Sequence, residues 1–333
     1  MFTVVIPTFN RPELLRIALT SVSKQTIVQN INKVIVSENG LNKESELVCS
    51  EFKNINIVYK YQNDQLSMPK HLQWLLSLEQ EDYVAFLCDD DWWDVNHLEI
   101  AKKSIENNDN NVCYFSNFSY VKNRFSLKRS ALQKGEEVFH MKNDFINYEP
   151  ILYSKEHIFL FSVFVTPFHF STMICKGDIL SKSVEIFDQI HPTNADRLLF
   201  AAISGFGTII FNPLRTCIVL WHDNMESHVY NSEEWKIERQ KGSLKVMEFA
   251  QSIGIDIKTL INEAYTENKF DDSSFISKEI SDIFFDRDNI QWFSGLEEIT
   301  KNDQDLYKIM NYKKSLKGKI KNKINLFFKK IAN

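Results

Sequence analysis

Asp89, Asp90 and Asp91 follow the apolar run Tyr83-Val84-Ala85-Phe86-Leu87-Cys88 and are followed at once by Trp92 and Trp93. Adjacent carboxylates repel one another and none is buried cheaply without a partner, so a strand that delivers three of them to one point calls for a divalent cation. A hard ion such as Mg²⁺ or Mn²⁺ takes oxygen ligands, and needs only one or two protein carboxylates when substrate phosphates complete its shell. The simpler reading is a solvated acidic turn that caps the next helix. The tryptophans and the preceding strand favour a cleft instead.

The elements that must position these carboxylates alternate strand and helix. Phe2 to Ile6 reads as a strand. Asn10 is placed to cap a helix with Pro12 near its first position, and Leu14, Leu15, Ala18, Leu19 and Val22 recur at helical spacing. Lys33 to Ser37 is a second strand ending in the turn signal Glu38-Asn39-Gly40, followed by a helix over 41–52, a third strand over 55–61, a helix over 69–78 and a fourth strand over 83–88. Repeated βαβ units with short, continuously apolar strands predict an α/β fold with a mostly parallel central sheet and helices on both faces. Ligands of such sheets bind at the carboxyl ends of the strands, where Pro7-Thr8-Phe9, Glu38-Asn39 and the aspartates would share one crevice. Beyond residue 111 the pattern weakens: 112–120 reads as strand and turn, the phenylalanine-rich stretch 159–174 as buried strand or pocket wall, 193–204 as a helix, and 207–211 and 215–221 as two strands. From 226 to about 313 the chain is charged and helical in pattern.

Composition narrows the function. With 44% hydrophobic and 25% charged residues in 333, the chain is an ordinary globular protein. Five scattered cysteines with no CxxC pair indicate neither a disulfide framework nor a zinc site, and suit a reducing compartment. The first residues run straight into a strand, so no signal peptide is expected, and no stretch of about 18 apolar residues predicts a spanning helix. Residues 313–333 hold eight lysines and no acid, which leaves 31 basic against 44 acidic residues, net −13, in 1–312. An acidic body excludes a nucleic-acid partner, whose phosphates require basic contacts. No GxGxxG or GxxxxGK[ST] occurs, and nine glycines do not supply a phosphate-cradling loop. A nucleotide diphosphate here would have to be neutralised by metal, the task the aspartates suit.

Val4-Val5-Ile6-Pro7-Thr8-Phe9-Asn10-Arg11-Pro12-Glu13-Leu14-Leu15, with Ser21-Val22 and Gln25, resembles the opening of family 2 glycosyltransferases of the GT-A fold. Val34 to Gly40 resembles that family's second strand and acidic turn, and Phe86 to Asp91 its DXD-type motif. The likeness is close over residues 2–100 and loose over 165–225. It implies that Pro7, Thr8 and Phe9 line the nucleoside pocket, that Glu38 hydrogen-bonds the base, most often uracil, and that Asp89 sits near the ribose. Asp90 or Asp91 would bind the Mn²⁺ or Mg²⁺ that bridges the diphosphate, with His222 completing the site. Glu38 stands where Asp is usual in the family. Lys70, beside His71, falls near positions that face the donor. Asp196 falls where the resemblance puts the catalytic base, with Asp188 as the alternative, and His169, Ser171 and Thr172 fall on the acceptor side. Trp93, like Trp92 and Trp221, is of a type that stacks on sugar rings.

Tyr312, Leu316, Ile320, Ile324, Phe327 and Ile331 make an apolar stripe flanked by lysines, the pattern of an interfacial helix on an anionic membrane. A solvated lysine tail is the plainer reading, since Gly318 and several asparagines weaken the helix. The expected organisation is a nucleotide-sugar half (1–110), an acceptor and catalytic-base half (111–225), a helical C-terminal extension (226–312) and the basic tail (313–333). The whole predicts a metal-dependent inverting hexosyl- or N-acetylhexosaminyltransferase. It would take a UDP-sugar to a glycan or lipid-linked glycan in bacterial surface polysaccharide synthesis, cytoplasmic and peripheral on the inner face of the membrane. A sugar-nucleotide nucleotidyltransferase and a nonenzymatic glycan- or nucleotide-binding protein are the competing readings.

Overall fold

The computed structural model describes residues 1–40, 43–78, 82–108, 110–122, 149–164, 168–187, 194–221, 232–256 and 260. Its contacts divide the chain into two units, Met1–Asn231 and Ser232–Asn333. In the first, β1 (Phe2–Thr8), α1 (Pro12–Ser23), β2 (Ile31–Glu38), α2 (Glu44–Ser50), β3 (Ile57–Tyr61), α3 (Met68–Ser77) and β4 (Tyr83–Phe86) follow in turn. Then come β5 (Trp92–Trp93), α4 (His97–Glu106), β6 (Asn111–Lys122), β7 (Ile151–Tyr153), α5 (Lys155–Phe164), β8 (Ile174–Lys176), α6 (Gly177–Ser183), α7 (Ala195–Ser204) and β9 (Thr208–Trp221). The described part of the second unit holds the helix α8 (Ser232–Ser252).

The nine described strands form one sheet in the order β3-β2-β1-β4-β8-β6-β9-β5, with β7 on β9. β1, β2, β3 and β4 are mutually parallel, as the sequence predicts, and β1 is apolar and buried along nearly its whole length. Helices cover such strands on both faces, so no alternation of apolar and polar residues survives. The second half is mixed: β8 runs antiparallel to both β4 and β6, β5 antiparallel to β9, and β6 parallel to β9.

α1 buries Leu15, Ala18, Leu19 and Val22, the stripe its spacing predicts, and each such side chain withdrawn from water contributes roughly 1.5–3 kcal/mol. The expected cap differs. Arg11, not Asn10, occupies the N-cap and makes no side-chain capping bond, while Asn10 takes a left-handed backbone with φ of 54°. A short polar residue tolerates that conformation where a branched one would not.

Three further differences lie beyond the aspartates. The stretch read as strand or pocket wall contains helix α5; Ile158 to Val163 are buried without a break, so no amphipathic stripe marks it as helical. The two strands expected over 207–211 and 215–221 are one strand, β9, whose pairing with β6 slips where Asn212 gives way to Arg215. That irregularity accommodates Pro213, which has no amide hydrogen to give a ladder. Finally, α4 and the short β5 follow the aspartates where no separate element was expected.

Candidate active site

Strand register assembles the site. β1 and β2 pair Thr8 with Glu38. β1 and β4 pair Val5 with Phe86, and the same offset carried three residues on sets Thr8 beside Asp89. The Thr8 hydroxyl accordingly donates to Asp89 Oδ2 at 2.8 Å. Glu38, Thr8 and Asp89 thus stand in a row across three adjacent strand tips. On the other side, antiparallel β8 pairs Ile174 with Ala85, and that register continued sets Ser171 opposite Cys88. The Cys88 amide donates to Ser171 Oγ at 3.0 Å.

Ser171 is the hub of the far side. Its hydroxyl donates to Asp91 Oδ2, its carbonyl accepts from Trp93 Nε1, and its amide donates to His169 Nδ1 at 3.3 Å. Asp91 Oδ1 accepts from the Leu220 amide at 3.1 Å, so β9 also closes on this carboxylate. Leu220 lies two residues before His222, which, with Asp188 and the whole 313–333 tail, lies outside the described residues.

The three aspartates are not equivalent. Asp89 and Asp91 side chains are 7% and 2% exposed, while Asp90 is 17% exposed and faces the opening. Burial, then repulsion from Asp90, pushes Asp89 up to about 7, against the opposing pull of Arg11, the Thr8 hydroxyl and the Phe9 amide. Burial and Asp90 also push Asp91 well above the ordinary carboxylate range, against Ser171 and the Leu220 amide. Both carboxylates are therefore short of positive charge.

Arg11 supplies part of that charge. Its Nη1 lies 3.1 Å from Asp90 Oδ2 and 3.4 Å from Asp89 Oδ1, with its side chain 29% exposed. No local motif marks Arg11 for this role. The available signal was a basic residue three positions beyond the first strand tip, in a fold that brings that tip beside three acids.

Cys88 Sγ and one carboxylate oxygen from each of Asp90 and Asp91 lie within 4.8 Å of one another. The two carboxylates suit a hard divalent cation. The Cys88 thiol does not, because burial and then Asp91 and Asp90 push its ionisation well upward and keep it protonated. The donor set fits Mg²⁺ or Mn²⁺ held from the Asp90 side, with Asp91 behind and already committed to Ser171 and Leu220.

Several expected contacts are corrected by burial. Trp93 is fully enclosed, paired in β5 with β9 and stacked on His97 at 4.6 Å, so it cannot face a sugar. Trp92 is 3% exposed. Ser171 and Thr172 are wholly buried, and Thr172 Oγ1 donates to the His169 carbonyl, so both shape the turn rather than meet an acceptor. Glu38 is also enclosed: Oε1 accepts from the Asn10 and Gly40 amides at 3.1 and 2.7 Å, and Oε2 from Ser45 Oγ at 2.6 Å. It clamps the two loops instead of offering an oxygen to a base. A side chain at position 40 would collide with those of Asn10 and Glu38, which is why glycine stands there.

Other residues remain open. Phe9 is 42% exposed, Pro7 half-buried and Lys70 exposed. His71 next to Lys70 is a core residue bonded to Ser37 Oγ at 2.7 Å. His169 is 24% exposed, with its ring 5.1 Å from that of Phe118. Burial lowers it to about 4, and its Nδ1 accepts from Ser171, so its 3.6 Å approach to Asp91 is not an ion pair near neutrality. Asp196 begins α7, where its Oδ1 accepts from the Arg197 amide at 2.8 Å, and it is the one residue of that helix that is not buried. Asp196 and Phe200 share a helix face, and Phe200 packs on Phe170 at 5.4 Å, which turns that face toward the 169–172 turn. No bond among those described joins Asp196 to the aspartate cluster.

Comparison with known proteins agrees with this arrangement. An uncharacterized glycosyltransferase of Haemophilus influenzae is 26% identical over 98 residues, 29% of this chain and 30% of that protein, so the match spans about a third of each. Staphylococcus aureus TarS residues 1–349, solved with UDP-GlcNAc, superimposes with a TM-score of 0.54 at 14% identity, covering 89% of this chain and 80% of that one. The longer TarS structure gives 0.58 at 13% identity, covering 94% and 52%. At such identities the likeness establishes the fold, a GT-A-type α/β domain. The sequence profile of glycosyl transferase family 2 matches residues 3–169, half of the chain, and with the strand-tip site in place the chain belongs to that family.

Proposed function

We propose that this protein is a metal-dependent inverting glycosyltransferase that moves a hexosyl or N-acetylhexosaminyl group from a UDP-sugar to a glycan or lipid-linked glycan acceptor. One observation carries the reading: the row Glu38, Thr8 and Asp89 across parallel strand tips, with Asp90, 17% exposed and paired to Arg11, beside it. The TarS relative solved with UDP-GlcNAc supports a uridine nucleotide as donor.

In this reading Pro7 and Phe9 flank the nucleoside and Asp89 orients the ribose. Thr8 and Glu38 hold the strand tips that present them. Lys70, exposed on α3, binds a phosphate. Asp90, backed by Asp91, holds Mn²⁺ or Mg²⁺, with His222 a further ligand. Such an ion, when bound, supplies positive charge to a departing diphosphate. Asp196 takes the proton from the acceptor hydroxyl as its oxygen attacks the anomeric carbon. The bond to the diphosphate breaks on the opposite face, and the leaving group keeps the electron pair. His169 is the acceptor-side contact that stays accessible.

Surface polysaccharide assembly at the cytoplasmic face of the membrane is the setting proposed, with the lysine-rich 313–333 segment resting on anionic lipid. No helix among the described residues is long and apolar enough to cross a membrane. The deciding experiment is incubation with a panel of sugar nucleotides and Mn²⁺, with and without EDTA. UDP release that EDTA abolishes supports transfer. Pyrophosphate release would instead favour a nucleotidyltransferase, and binding without turnover a nonenzymatic role. For the tail, a chain ending at Tyr312 should no longer sediment with anionic liposomes; unchanged sedimentation refutes the anchor.

A further inference from the structure

We propose that Arg11 is a placeholder cation: it neutralises Asp89 and Asp90 while the site is empty and transfers to the donor diphosphate when metal and nucleotide arrive, which makes their binding interdependent. The inference rests on the metal-site reading above, and goes beyond it by assigning a residue that reading does not use.

The same carboxylate is claimed twice. Asp90 supplies an oxygen to the only group of possible metal ligands found among the described residues, and its Oδ2 is 3.1 Å from Arg11 Nη1. Arg11 also reaches Asp89 at 3.4 Å, so one guanidinium spans both acids. A divalent cation drawn to Asp90 meets a resident positive charge a few ångströms away, and the two repel. Arg11 must give way or acquire another anion. A diphosphate is the anion a planar guanidinium fork matches best, and in this fold it sits over the strand tips.

The backbone around Arg11 is built to keep its base fixed while the side chain moves. Glu38 holds the Asn10 amide, Asn10 is locked in a left-handed turn, and Arg11 starts α1 at the N-cap beside Pro12. The side chain itself is 29% exposed, and both of its acidic partners lie at the crevice. Metal alone then binds weakly, because it competes with Arg11. Metal with nucleotide binds well, because Arg11 gains a new partner as it leaves the old one.

The test is Mn²⁺ titration of the full chain by calorimetry and electron paramagnetic resonance, alone and with saturating UDP, for wild type, Arg11→Gln and Arg11→Lys. Removing the charge should tighten Mn²⁺ binding in the absence of UDP by about tenfold or more at low ionic strength. It should also weaken UDP binding and shrink the Mn²⁺–UDP cooperativity. Arg11→Lys keeps a charge without the fork and should fall between. If wild type binds Mn²⁺ with UDP while Arg11→Gln leaves metal-only affinity unchanged or lower, the placeholder role is overturned and the metal site stands. If wild type binds no Mn²⁺ under either condition, the metal-site reading itself is overturned.

Discussion

Replacing Ser171 by alanine removes one oxygen from the interior and disconnects the two halves of the site. The hydroxyl donates to Asp91, a carboxylate 2% exposed, and accepts from the Cys88 amide at 3.0 Å. Losing a hydrogen bond to a charged group costs about 1.5–3 kcal/mol, and an unpaired buried amide about 1–3 kcal/mol more, so the expected destabilisation is about 2.5–6 kcal/mol. Asp91 keeps the Leu220 amide and becomes still easier to protonate. Urea unfolding at pH 7.5 in EDTA measures the loss, and a cycle with Asp91→Asn isolates the pairwise part, expected at about 1.5–3 kcal/mol. In kinetics the defect should fall on Mn²⁺ and UDP binding, with acceptor KM little changed. A loss under about 0.5 kcal/mol, or strictly additive single variants, would refute the hub role, since Asp91 and the Cys88 amide would then each lose a buried partner at almost no cost.

Glu38→Ala should cost about 3–5 kcal/mol in the same assay, because the Asn10 and Gly40 amides and the Ser45 hydroxyl all lose their acceptor; near-neutral behaviour would mean the clamp is solvated. His97 is wholly buried and lowered to about 3 by that burial, so the unfolded chain takes its proton below pH 6.5 while the native chain does not. The resulting stability is present above pH 6.5 and is lost as pH falls toward 3. At pH 5 the loss is about 2 kcal/mol, and His97→Gln should shrink the difference between pH 7.5 and pH 5 unfolding free energies by that amount; an unchanged difference counts against burial of the neutral ring. Asp196→Asn should lower kcat by about 10²–10⁴ with UDP affinity and thermal stability retained, and wild-type turnover would remove Asp196 from the chemistry.

Much of the first hundred residues was legible because its signals are local. Continuous apolar runs marked β1, β2 and β4, the 3–4 spacing marked α1, and the apolar run ahead of three acids placed the acidic cluster at a strand end. The chain beyond the aspartates was less legible for physical reasons. α5 is buried without a break from Ile158 to Val163 and shows no stripe. β9 runs on past Pro213 only because its partner slips to meet it. Trp92 and Trp93 looked like sugar platforms until pairing with β9 turned them inward.

The sequence by itself therefore determined the parallel half of the sheet, the identity of the acids at its tips and the family to which they point, since each depends on neighbours a few residues apart. Which acid is open and which is enclosed was decided only in three dimensions. The β8 register brings Ser171 to Asp91 across 80 residues, Leu220 reaches it across 129, and Arg11 spans 79 to Asp90. No local pattern encodes such separations, because they follow from the order in which strands are added to the sheet. That order turns three adjacent, chemically identical aspartates into one held by threonine and arginine, one facing the crevice and one locked in the wall.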